Sequence, residues 1–129
     1  MENRLRKLLN NAYAPYSKYR VACAILMKDG SVFEGVNVEN ASYGATVCAE
    51  RNAIFNAISH GYKKGDFDKI YVMTDSDDIG QCCFICRQVI LEFFEDDKKI
   101  INYNIKGEMV EAKVSDLCPN PFVMKESGD

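Results

Sequence analysis

The apolar positions change period several times along the chain, and each change marks an element. Leu5, Leu8, Leu9 and Ala12 recur at helical spacing, so the N-terminus reads as an amphipathic helix. Ala14-Pro15-Tyr16-Ser17 then breaks the pattern into a loop. Residues 20–27 form a short, mostly apolar run that suits a buried strand. Lys28-Asp29-Gly30 is a hairpin turn, because Asp-Gly tolerates positive φ, and residues 31–38 return as a second strand. From residue 48 to 59 helical period resumes through Ala49, Ala53, Ile54, Ala57 and Ile58, with Gly61 as its stop. Residues 69–74 give a third strand, and residues 75–80 a polar loop. A third helix starts at Cys83, where Ile85, Val89 and Phe93 are spaced by four. Residues 99–103 and 109–114 are two last strands joined by a turn at Lys106-Gly107-Glu108, and a proline-bearing tail from Leu117 lies along the surface.

A hairpin followed by strand–helix–strand units predicts an α/β fold. It is a single domain over residues 1–129, with one mixed five-stranded sheet covered by helices. The length suits one hydrophobic core. Apolar content of 47% and charged content of 27% exclude a disordered or low-complexity chain.

Charge narrows the partners. A formal net charge of -3 lacks the basic surplus that phosphate contacts demand, so nucleic acid is not the expected partner and small molecules are. No run approaches the ~20 apolar residues of a membrane span, and no secretory core follows the first residues. The expected location is therefore cytoplasmic. There the six cysteines stay reduced, and clustered ones point to metal or catalysis. Cys23 and Cys118 read as small buried apolar residues.

Two motifs carry that chemistry. Cys48-Ala49-Glu50 and Cys83-Phe84-Ile85-Cys86 each sit at the start of a predicted helix. Helix N-termini offer partial positive charge and free N–H groups, which stabilise thiolates. Cys48, Cys83 and Cys86 would give zinc three protein ligands and leave a fourth position open, as in catalytic zinc sites. Cys82 is a conceivable fourth ligand, although neighbouring cysteines seldom both reach one metal. His60, the one histidine, falls about three turns along the helix from Cys48 and reads as a solvent-facing helix end. Zinc with three thiolates carries a net negative charge, and Arg51 or Arg87 is placed to offset it. Glu50, two residues after Cys48, can face the same site without ligating the metal and act as general acid–base. Asn37 and Glu39, spaced by two on a strand, share a face and can donate to and accept from a sugar hydroxyl.

Cys48-Ala49-Glu50-Arg51 followed by Cys83-x-x-Cys86-Arg87-Gln88 resembles the small, three-cysteine cytidine deaminase family. The resemblance runs from about residue 14 to 122 and includes Pro15-Tyr16-Ser17 and the segment Gly35 to Tyr43. It implies a three-layer fold and one Zn2+ per chain. It further implies hydrolytic deamination of cytidine and 2'-deoxycytidine, with Glu50 protonating N3 and assisting the leaving amine. It places Asn37 and Glu39 on the ribose, Tyr19 beside the base, and the backbone at Ala49 on the pyrimidine edge. Ala41 and Tyr43 fall near subunit interfaces, and Phe122 stacks over the base of a neighbouring subunit in a homotetramer.

Two departures stand out. Cys82 and Phe84 occupy positions that are proline and glycine in the family pattern, and Arg20 replaces a frequent proline. If the glycine position needs positive φ, Phe84 is strained; if it is helical, Phe84 is tolerated and can reshape the pocket. These changes motivate two alternatives: deamination of a modified cytosine nucleoside such as blasticidin S, and a nucleoside-binding relative with impaired catalysis.

Overall fold

The computed structural model describes residues 1–126. The chain forms α1 (Glu2–Leu8) with a trailing 3-10 turn, β1 (Val21–Met27), β2 (Val32–Val36), α2 (Ala49–Ser59), β3 (Phe67–Thr74), α3 (Phe84–Phe93), β4 (Lys99–Tyr103) and β5 (Met109–Lys113). The five strands make one sheet in the order β2-β1-β3-β4-β5. β1 is antiparallel to both its neighbours, β3 and β4 run parallel, and β5 returns antiparallel. The parallel pair exists because α3 supplies the crossover between its strands. The mixed sheet and its helices match the expected fold class.

Strand alternation divides the core in two. Cys23, Ile25 and Met27 of β1 face one side with Val72, Ile100 and the apolar stripes of α2 and α3. Ala22 and Ala24 face the other side, where Leu5 and Leu9 bury themselves against Met73 and Ile101. Helices therefore cover both faces, giving three layers.

The contact between α2 and β2 fixes the site. A Cβ on Gly35 would clash with the α2 backbone at Ala49, Asn52 and Ala53, so only glycine permits this approach. Asn52 Nδ2 donates to the Val36 carbonyl at 2.8 Å, and Asn56 Nδ2 to the Glu34 carbonyl at 3.4 Å. These bonds occupy acceptors on an edge strand that pairs, among the described residues, only with β1. The Asp29-Gly30 hairpin forms as expected, with Gly30 at φ +92°.

Two strand boundaries and the burial of one cysteine differ from the sequence reading. β2 stops at Val36, because Val38 leaves the ladder and bridges to Tyr13 and Val47. Asn37 and Glu39 thus lie past the strand rather than on it. β3 begins at Phe67, whose ring packs against Phe93 and Phe94 at 5.9 and 5.0 Å. Cys118 is half-buried rather than part of the core. Among the described residues no helix is long and apolar enough to cross a membrane.

Candidate active site

Two helix N-termini meet at one end of the sheet. Cys48 caps α2 and Cys83 caps α3, both with extended backbone. Cys86 lies in the first turn of α3 and is buried. Its N–H donates to Cys83 Sγ at 3.5 Å. Cys48 Sγ and Cys83 Sγ are 3.7 Å apart, and all three sulfurs lie within 4.8 Å of one another. Tetrahedral zinc with Zn–S bonds of about 2.3 Å needs sulfurs about 3.8 Å apart, so the cluster fits that metal. Cys82 is not part of this cluster among the described residues.

The charge on the cluster is graded. The Cys48 thiol is drawn down to about 5, first by hydrogen bonding with Cys86 and then by Arg51 and Cys83. The contact with Cys48 pushes Cys86 up, with burial adding to it. The cluster therefore favours one thiolate, and a second negative charge beside it is opposed without a cation. Arg51 Nη2 reaches Cys48 Sγ at 3.6 Å. Arg87 serves a different end: its Nε donates to the Cys82 carbonyl and its Nη1 to the Leu117 carbonyl, both at 2.8 Å. Of the two arginines, Arg51 is the one hydrogen-bonded to a cluster sulfur. His60 is exposed at the end of α2 with Nδ1 2.8 Å from the Asn56 carbonyl oxygen.

Glu50 follows in the first turn of α2 and is only 4% exposed. Burial pushes its carboxyl above the usual carboxylate range, while hydrogen bonds from the Cys82 thiol and from backbone pull it partly back. Cys82 itself is pushed up by burial and by the facing carboxyl, so it stays a neutral thiol. Phe84 is helical and unstrained, and positive φ among non-glycine described residues occurs only at Lys18 and Asn120. The Phe84 side chain is 71% exposed and stacks on Arg87 at 4.6 Å, outside the cavity.

A cavity of about 210 Å3 opens beside the cluster, lined by Cys48, Glu50 and Cys83. Tyr19, Asn37 and Glu39 also line it. Asn37 Oδ1 accepts from Val21 N at 2.9 Å, and its Nδ2 donates to the Tyr19 carbonyl at 2.7 Å. Glu39 accepts from the backbone N–H groups of Tyr16 and Ser17 at 2.9 and 3.1 Å and from the Ser17 hydroxyl. The Ser17 hydroxyl leads, with these amides, in holding the Glu39 carboxyl below its ordinary value. Ala49 is buried at the start of α2, next to the cluster. Ala41, Tyr43 and Phe122 are exposed and do not line this cavity. Four polar lining residues escaped the sequence reading, Thr46, Thr74, Gln81 and Asn102, as did Val21, Val72 and Gly80. A larger surface groove of about 440 Å3 between Lys18, Arg20 and Asp75 holds none of the thiols and no part of Glu50.

Comparison with known proteins agrees with this chemistry. The family described as cytidine and deoxycytidylate deaminase zinc-binding region matches residues 2–103. A cytidine deaminase of Halalkalibacterium halodurans is 45% identical over 118 residues, covering 92% of this chain and 88% of the relative. A probable cytidine deaminase of Dictyostelium discoideum is 48% identical over 116 residues, covering 89% and 76%. The crystal structure of a Burkholderia pseudomallei cytidine deaminase superposes with a TM-score of 0.89 at 38% identity, covering 93% of this chain and 94% of that one.

Proposed function

This chain belongs to the cytidine and deoxycytidylate deaminase family, and we propose that it hydrolyses free cytidine and 2'-deoxycytidine to uridine and 2'-deoxyuridine, releasing ammonia. One observation carries the reading: three thiols gathered at two helix N-termini beside a buried carboxyl, with Cys48, Cys83 and Glu50 lining one small cavity.

Cys48, Cys83 and Cys86 would hold one zinc ion per chain. Zinc bound there would act as a Lewis acid that supplies a water-derived nucleophile near neutral pH. Glu50 moves the protons. It accepts one from the attacking water, delivers one to pyrimidine N3, and then assists departure of the amine. Its burial keeps those protons out of bulk solvent. Arg51 offsets the thiolate charge.

Asn37 and Glu39 would take the ribose. Each keeps capacity to do so. Glu39 accepts three hydrogen bonds, leaving room for another at a carboxylate, and Asn37 uses one donor and one acceptor site of its amide. Tyr19 would flank the base, and the Ala49 backbone N–H would meet its edge.

Ala41, Tyr43 and Phe122 would act between subunits. Tyr43 is 83% and Phe122 68% exposed, which supports a homotetramer in which Phe122 covers a neighbour's cavity. Residues 1–129 would form one catalytic domain, and six free cysteines fit a reducing cytoplasm.

The test is a panel of kcat/KM values on zinc-loaded protein for cytidine, 2'-deoxycytidine, blasticidin S and a single-stranded oligonucleotide. The two free nucleosides should lead. Faster turnover of blasticidin S or the oligonucleotide would sink the substrate assignment. Phe84 and Arg20, which motivate a modified substrate, both lie outside the cavity.

A further inference from the structure

Asn102 is the polar residue of β4 that shares a face with Ile100, inside the core layer beneath α2 and α3. It pairs in register with Val72, and both line the cavity. It is 4% exposed, and among the described residues its Oδ1 has no hydrogen-bond partner. Buried polar groups are almost always paired, so an orphan amide on a cavity wall marks a place where the cavity's contents supply the partner. Turning the amide over does not remove the need, because it buries an unpaired NH2 instead.

Topology says which part of a bound nucleoside lies there. Asn37 and Glu39 follow β2, the outer strand, and β1 and β3 separate it from β4. Asn37 is hydrogen-bonded to Val21 of β1, and the two strand spacings from β1 to β4 amount to about 10 Å. A sugar held at Glu39 therefore does not reach Asn102, and the base points toward it. A neutral cytosine nucleoside has one N–H donor group on its base, the exocyclic 4-amino group. One of its two N–H bonds turns to the N3 side, where Glu50 would work, and the other turns away from it. In the uracil product the same position is a carbonyl, which only accepts.

We propose that Asn102 is a specificity-determining residue whose side-chain oxygen accepts a hydrogen bond from the 4-amino group of the cytosine nucleoside and faces only lone pairs of the 4-carbonyl of the uracil product. This rests on the deaminase reading above. It gives the site a means of holding substrate more tightly than product. Of the other polar residues on the cavity wall, Thr74 donates its hydroxyl to the Asp78 carbonyl at 3.4 Å and Gln81 is exposed, whereas Asn102 is the buried one left without a partner among the described residues.

The experiment compares wild-type enzyme with Asn102→Leu, close in volume but without an acceptor. It reads kcat and KM for cytidine and the inhibition constant of uridine, with zinc content and melting temperature on the same samples. In the variant, kcat/KM for cytidine should fall about three- to tenfold, as for loss of one neutral hydrogen bond. Uridine inhibition should stay equal or tighten, so the ratio of uridine Ki to cytidine KM falls by about threefold or more. Asn102→Ala, which adds no bulk, should give the same ratio change and serves if the leucine variant does not fold. An unchanged ratio, with cytidine and uridine weakened equally, overturns the assignment and leaves Asn102 as a structural residue. A wild-type enzyme that turns over no cytosine nucleoside overturns the deaminase reading itself, a result separable from an unchanged ratio.

Discussion

Replacing Gly35 by alanine should damage stability and catalysis together, because the contact it disturbs positions the site. A Cβ at residue 35 would sit 2.6 Å from the Ala49 carbonyl oxygen and 2.9 Å from Asn52 C, with Ala53 N nearer still. These are backbone atoms and cannot swing aside. Ordinary contact begins near 3.4 Å, so α2 must back away by about 0.8 Å from the Ala49 oxygen alone. Overpacking of this kind costs about 1–3 kcal/mol. For a chain of this size that lowers the melting temperature by roughly 3–9 °C. Ala49 lies between Cys48 and Glu50, so the displacement passes directly to a thiol of the cluster and to the buried carboxyl. Misplacement near 1 Å costs about 100-fold in rate. Thermal melting followed by circular dichroism and kcat/KM for cytidine measure the two effects. A variant that melts within a degree of wild type and keeps full turnover would refute the claim that this glycine seats α2.

Other outcomes follow from the same geometry. Cys83→Ser should cut bound zinc from about one per chain to near zero, measured by elemental analysis, since a hydroxyl is a poor replacement for a thiolate. Arg51→Met should weaken zinc affinity about tenfold in a chelator competition, because the positive charge nearest Cys48 is gone. Glu39→Gln should flatten the acid side of the stability profile. The Glu39 carboxyl sits below its ordinary value of 4.5, led by the Ser17 hydroxyl. Its contribution is thus present above about pH 4.5 and lost as pH falls through the lower folded value. The melting-temperature gap between wild type and variant should be widest near neutrality and close in acid; a constant gap contradicts this.

The parts of the site that repeat a local pattern were readable in sequence. Cysteines three apart at a helix start, and a glutamate two after another cysteine, are short-range signals, and Cys48, Glu50, Cys83 and Cys86 converge as their spacing suggests. The hairpin at Asp29-Gly30 is equally local. The cavity's far wall is not. Thr74 and Asn102 come from β3 and β4, which only the sheet order sets side by side, while Thr46 and Gln81 lie in the loops just before Cys48 and Cys83. Asn102 did carry a signal: a lone amide on the same strand face as Ile100, in a run otherwise apolar. The end of β2 was misplaced because Val38 continues the apolar alternation while its hydrogen bonds go to Val47 across a loop. Phe84 could not be resolved from sequence, because its tolerance depends on a φ that the structure places in the helical range.

The central claim is that Glu50 moves protons beside a metal held by three thiols. The direct measurement is cytidine turnover by Glu50→Gln and wild-type protein, with zinc counted on the same samples. Equal zinc and a rate loss of about 100-fold or more are expected in the variant. Full turnover by Glu50→Gln with zinc in place would contradict the claim.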